Sequence, residues 1–128
     1  MNPEQMKRRT EAFALAVIRT VEKLPRSTTA EVIGKQLLRS GTAVGANYRA
    51  CCRARSKRDF IAKLGIVEEE ADESMYWMEL LVDSGVVHES DVAGLLDEAS
   101  QIAAMTVSSI RTARQHNPQS AIRNPKSP

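Results

Sequence analysis

An all-α fold, an antiparallel up-down-up-down four-helix bundle, is what this sequence of 128 residues predicts, and three observations predict it. Apolar residues recur at three- and four-residue steps and nowhere alternate, so helices are expected and strands are not. Proline and glycine divide the chain into four such segments with short connections, and short connections make consecutive helices antiparallel neighbours. The apolar share of 42% in a chain of this length is enough for one substantial core.

The first helix is expected over 4–24, with Met6, Phe13, Val17, Val21 and Leu24 on one stripe and Pro25 closing it. The second is expected over 28–54, where Thr28 with Glu31 three residues on fits a capping box. Its stripe is Ile33, Leu37, Val44, Tyr48 and either Cys51 or Cys52. Ser56 is a good N-cap for the third helix, 57–84, and Asp59 in its first turn complements the helix dipole. That stripe runs through Phe60, Leu64, Val67 and Ala71, then Ser74 or Met75, Met78, and Leu81 or Val82, stopping near Gly85. The fourth, 90–114, carries Val92, Leu95, Leu96, Ala99, Ile102, Ala103, Thr106 and Ile110, with Arg111 and Arg114 in the last turn where cations suit the dipole. Residues 1–114 are thus expected to form the bundle and 115–128, with three prolines and few apolar residues, a disordered tail. Helices of these lengths span about 30–40 Å.

Helix two contains Gly34, Gly41 and Gly45, each costing on the order of 1 kcal/mol relative to alanine inside a helix. Gly41 and Gly45 stand four apart on one face, so a close approach by another helix is the expected reason. The alternative is a break at Ser40-Gly41-Thr42.

Charge is balanced in total and segregated in sequence. The formal net charge is +2, yet residues 1–58 hold 13 basic and 4 acidic side chains, 59–98 hold 1 and 12, and 99–128 hold 4 and 0. The longest apolar run, Ala12 to Ile18, is far short of the roughly 20 residues that span a bilayer. No signal-peptide pattern is visible at the N-terminus, and the expected location is cytoplasmic. The adjacent Cys51 and Cys52 read as reduced thiols, because neighbouring residues rarely meet disulfide geometry.

Catalytic machinery is not expected. Neither His88 nor His116 has a glutamate three residues before it, so the helical di-metal motif is missing. There is no Cys-x-x-Cys, no glycine-rich dinucleotide fingerprint and no phosphate loop. Glu69, Glu70, Asp72 and Glu73 have one-turn spacings that suit a hard cation, but a solvated or salt-bridged face is the expected use. No cofactor, no metal site, no membrane contact and no small-molecule substrate is expected.

The sharpest local feature is Arg49, Arg53, Arg55, Lys57 and Arg58, five basic residues in ten with no acid among them. Five acids in six follow at 68–73. If helices two and three form a hairpin turning between Arg55 and Ser56, position i faces roughly 111 minus i, which brings Arg39 beside Asp72. Arg39, Glu69, Asp72 and Glu73 are therefore candidates for ion pairs between helices or between subunits. The basic cluster lies about 25 Å from the acidic run along the helix, so the acids of its own hairpin cannot neutralise it fully.

The stretches 38–50, 56–64 (Ser-Lys-Arg-Asp-Phe-Ile-Ala-Lys-Leu) and 69–81 (Glu-Glu-Ala-Asp-Glu-Ser-Met-Tyr-Trp-Met-Glu-Leu-Leu) resemble, in that order, the bacterial four-helix-bundle proteins named after 23S ribosomal RNA intervening sequences. The likeness covers about residues 10–113. The family is similar in fold to the accessory variability protein of diversity-generating retroelements. The resemblance implies an antiparallel bundle assembling into a homopentamer, no established enzymatic activity and a suspected nucleic-acid role. After Asn47 the chain departs from the commonest family pattern: Tyr48-Arg49-Ala50 stands where many members have a glutamate and glycine nearby.

Two expectations about function result. One is a non-enzymatic bundle whose opposite charge blocks pair between copies, since a ring built on one repeated contact needs two complementary patches. The other is RNA or DNA binding through Arg49, Arg53, Arg55, Lys57 and Arg58, joined by Lys7, Arg8 and Arg9. A pI near 8.7 and few aromatics count against a dedicated binder.

Overall fold

In the computed structural model, which describes residues 2–115, the chain forms four helices: α1 (Pro3–Glu22), α2 (Thr28–Cys51), α3 (Lys57–Asp83) and α4 (Glu89–Gln115). Each packs on its sequence neighbour, and α1 with α4 closes the ring along a shorter seam. Gln115, expected to begin the tail, is the last residue of α4; the remainder of the expected disordered tail lies outside the described residues.

Caps account for most boundary differences. The Asn2 side chain accepts from the backbone N–H of Glu4 (2.8 Å) and Gln5 (3.3 Å), and Pro3 at the first helical position presets the backbone, so α1 starts before Glu4. Its last turn tightens through Lys23 N–H to Thr20 (3.2 Å) and Leu24 N–H to Val21 (3.1 Å), and Pro25 disfavours helical backbone at Leu24. The cap of α2 is Ser27 rather than Thr28: its hydroxyl accepts from Ala30 N–H at 3.1 Å, which leaves Glu31 one position too late for a capping box. Ser56 caps α3 as expected, accepting from Asp59 N–H at 3.0 Å. Gly85, at φ +80, ends α3 in a left-handed turn in which Val86 N–H reaches Leu81 C=O at 3.0 Å, the Schellman arrangement that glycine favours.

The open positions on the stripes resolve one way each. Cys51, Ser74 and Leu81 are buried, whereas Cys52 is exposed and Met75 and Val82 are only half-buried. Phe13 and Val17 of α1, Leu37 and Val44 of α2, Val67 and Met78 of α3 and Ala99 and Ile102 of α4 all belong to one buried core. The buried hydroxyls of Thr10 and Thr106 donate to the carbonyls of Met6 (2.9 Å) and Ile102 (2.8 Å), so burial leaves neither unpaired.

α2 is continuous through Ser40-Gly41-Thr42, which excludes the break. The glycines instead seat α1. A Cβ on Gly41 would lie 2.8 Å from both methyls of Val17, and one on Gly45 would lie 3.2 Å from the Thr10 hydroxyl. Alanine at Gly41 would have to displace a buried, β-branched side chain, so the close approach of α1 explains the residue's helix-propensity cost.

Candidate nucleic-acid interface

Alternation of helix direction gathers the start of α1, the end of α2, the start of α3 and the end of α4 at one end of the bundle. The candidate cluster is divided between two of these pieces and the connection that joins them. Arg49 lies in the last turn of α2. Arg53 and Arg55 lie in the connection, and Lys57 and Arg58 open α3.

Expected to reach Ala54, α2 stops at Cys51, so Arg49 and Arg53 do not share a continuous helical face. The chain there tightens, with Arg53 N–H to Ala50 at 3.0 Å and Ala54 N–H to Cys51 at 3.0 Å, before turning into the Ser56 cap. A single hairpin turn needs this early stop to bring Ser56 into position. All of the cluster is exposed except Lys57, which is half-buried.

None of the five cations forms an ion pair among the described residues. Asp59, the nearest acid, is engaged elsewhere: its Oδ1 accepts from Lys63 at 2.6 Å and its Oδ2 from the Arg55 backbone N–H at 3.3 Å. Those two contacts, Lys63 first, hold its carboxyl below the usual carboxylate range. Arg111 and Arg114, which the sequence places only in relation to the α4 dipole, are exposed at this same end beside Ile61 and Gly65. Lys7 and Arg8 approach from α1, Lys7 within 3.4 Å of Glu4.

Arg9 leaves the group. Its guanidinium crosses to α4, with Nε 2.7 Å from Glu98 Oε2, Nη2 2.9 Å from Glu98 Oε1, and Nη2 2.7 Å from the Gln101 side-chain oxygen. This two-pronged geometry suits carboxylate and fixes the short α1–α4 seam. Sequence spacing could not distinguish Arg8 from Arg9; their 100° separation around the helix does.

The hairpin register holds to within a few residues, but the partner of Arg39 differs. Arg39 reaches Glu70 (3.3 Å from Nη1 to Oε1) and also Glu73, not Asp72. Glu70 and Glu73 are one turn apart and face α2, while Asp72 and Glu69 point to solvent without an ion pair among the described residues. Glu73 also accepts from the Trp77 indole N–H at 3.2 Å. Two of the acids that suggested a cation site are therefore engaged with an arginine.

Around this geometry the comparisons converge. Residues 4–108 match the family described as 23S rRNA-intervening sequence protein. The chain belongs to that family. A solved structure, of a protein with unknown function from the S23 ribosomal protein family of Bacteroides thetaiotaomicron, is 34% identical and superposes with a TM-score of 0.76. That alignment covers 81% of this chain and 96% of the other. Among curated proteins none matches. Among its described residues, this intervening-sequence protein has no helix long and apolar enough to cross a membrane.

Proposed function

We propose that the protein is a non-enzymatic bundle that assembles into a closed homo-oligomer, a pentamer as the family resemblance implies. One observation carries this reading: among the described residues, the cations at 49–58 and the acids on the outer face of α3 are both left without intrachain ion pairs. Glu69, Asp72, Glu79 and Asp83 are exposed along that face, and Arg49, Arg53, Arg55 and Arg58, of opposite sign, are exposed at the end of the bundle. Two complementary patches at different places on one surface favour a head-to-tail contact, which closes into a ring when the rotation allows. Apolar area accompanies the acids, with Tyr76 52% exposed, Ile66 39% exposed and Val32 on α2 57% exposed. Native mass spectrometry tests the reading. The wild type is expected at a multiple of 14.1 kDa and Arg53→Glu at a smaller one; a monomeric wild type rejects it.

A second reading, RNA or DNA binding, is favoured by Arg111, Arg114, Lys7 and Arg8 joining the cluster at one end. Phosphate contacts release counterions, so affinity would fall with salt at a slope of about 0.7–0.9 per phosphate neutralised. Repetition of the cluster around a ring would add avidity. Filter binding of generic RNA and DNA at two salt concentrations tests it, and no retention at low salt rejects it.

A further inference from the structure

The basic end is also hollow. A cavity of about 660 Å³ opens where the helix ends meet, within the size range of small-molecule sites. Its wall is chemically two-sided. Phe60, Leu64 and Pro3 supply apolar area, and Lys7 and Lys57 line it from different helices, the Lys7 ammonium lying 3.4 Å from the exposed Glu4 carboxylate. No acidic side chain lines it among the described residues.

Tyr48 also lines this cavity. The residue is only 6% exposed, and its phenol has no oxygen or nitrogen partner among the described residues. Its polar neighbour is the Cys52 thiol, a weak acceptor. A buried hydroxyl with so poor a partner is costly unless something else accepts its proton. Burial, and then the nearby thiols, hold the phenol above its usual range. Burial likewise pushes the Cys51 thiol up to about 11. Both groups stay neutral at physiological pH, so neither adds a negative charge to the wall that carries Lys7 and Lys57.

We propose that this end cavity binds a nucleoside 5′-phosphate, the phosphate held by Lys7, Lys57 and the Tyr48 hydroxyl and the base against Phe60. An apolar wall of Phe60, Leu64 and Pro3 in the same cavity as Lys7 and Lys57 matches a ligand that is aromatic at one end and anionic at the other. Inorganic phosphate would leave the apolar wall unused, and a nucleoside would leave both ammonium groups unused. The phosphate comes either from a free nucleotide or from the 5′ end of a strand. The site goes beyond self-assembly and does not depend on it, since one chain supplies every wall named.

Calorimetric titration of the full chain with adenosine 5′-monophosphate, inorganic phosphate and adenosine tests the assignment. The monophosphate is expected to saturate one site per chain, with phosphate and adenosine each binding more weakly. Tyr48→Phe and Lys57→Gln should each weaken it about tenfold, while Arg26→Gln at the opposite end leaves it unchanged. Circular dichroism confirms that the variants fold, and if Tyr48→Phe does not, the half-exposed Lys57→Gln decides. No saturation at millimolar monophosphate, equal binding of inorganic phosphate, or undiminished binding by the variants overturns the proposal. In a parallel arm, preference for a 5′-phosphorylated over a 5′-hydroxyl oligonucleotide identifies a strand end as the source. Monophosphate binding without that preference identifies a free nucleotide. Generic retention by the outer arginines would not distinguish the two oligonucleotides, so failure of the cavity and failure of the nucleic-acid reading separate.

Discussion

The hydroxyls of Ser40 on α2 and Ser74 on α3 meet 2.9 Å apart in the buried interface between the two helices. Ser74 donates to the Glu70 carbonyl at 2.8 Å, which leaves its oxygen free to accept from Ser40. Ser40 has a fallback acceptor in the Leu37 carbonyl at 3.3 Å. Either Ser→Ala change should therefore cost only about 1 kcal/mol. The double variant should fall short of additivity by about 0.5–1 kcal/mol, measured by denaturant unfolding in a double-mutant cycle.

Glycine substitutions should divide by location rather than by helix propensity. Gly41→Ala drives a Cβ to 2.8 Å from the Val17 methyls, and the overpacking, about 1–3 kcal/mol, exceeds the propensity gain of about 1 kcal/mol. Gly65 and Gly94 are helical with nothing within 4 Å of an added Cβ. Gly65→Ala and Gly94→Ala should each stabilise by about 0.5–1 kcal/mol. Thermal midpoints of the three variants check the contrast, and a stabilised Gly41→Ala would contradict the close α1–α2 packing.

The α1–α4 seam should depend on Arg9. Glu98→Gln keeps the shape but removes the charge from a partly buried two-pronged pair, with a cost of about 1–2 kcal/mol. Lys7→Gln, which removes an exposed pair on one helix, should cost no more than about 0.5 kcal/mol. Chemical denaturation of both distinguishes the two kinds of contact, and hydrogen exchange should show faster opening of α1 only in Glu98→Gln.

The two thiols should react differently. Cys52 is exposed and Cys51 buried, so a thiol reagent at pH 8 should modify one cysteine in the native chain and both after unfolding. Cys52→Ser should abolish the native reaction. The unfolded thiol ionises near pH 8.5, whereas Cys51 in the fold stays protonated until about 11. The unfolded state thus holds fewer protons in that window, and stability should fall as pH rises from about 8.5 to 11. Cys51→Ala should flatten that slope, as measured by unfolding at successive pH values.

At the acid end the sign reverses. Asp59 ionises more readily in the fold because of Lys63 and the Arg55 backbone N–H. Its contribution is present above the ordinary aspartate range near pH 3.9 and is lost as pH falls through the lower folded value. Asp59→Asn should remove that part of the acid dependence, seen as a flatter stability profile below pH 4, roughly the unfolded aspartate value.

Local sequence carried the helices, because three- and four-residue apolar spacing and the Ser56 cap act within one or two turns. It placed the tight contact at Gly41 and set the α2–α3 register closely enough to bring Arg39 to the acidic run. It erred where two neighbours compete for one role: Ser27 or Thr28 as cap, Asp72 or the Glu70 and Glu73 pair as partner, Arg8 or Arg9 as free cation. Each choice turns on 100° of helix rotation or one residue of phase, which spacing alone does not fix.

The sequence by itself determined the four helices, the buried stripes and an arginine cluster too far from the acids of its own hairpin to be neutralised fully by them. Those are consequences of periodicity and distance along a chain. Only the tertiary structure decided that Arg111 and Arg114, more than 50 residues later in the chain, share that end, that Arg9 is held by Glu98, and that Tyr48, Lys7 and Lys57 surround one cavity. Those relationships join helices remote in sequence, and the packing of α1 and α4 against the central hairpin sets their positions.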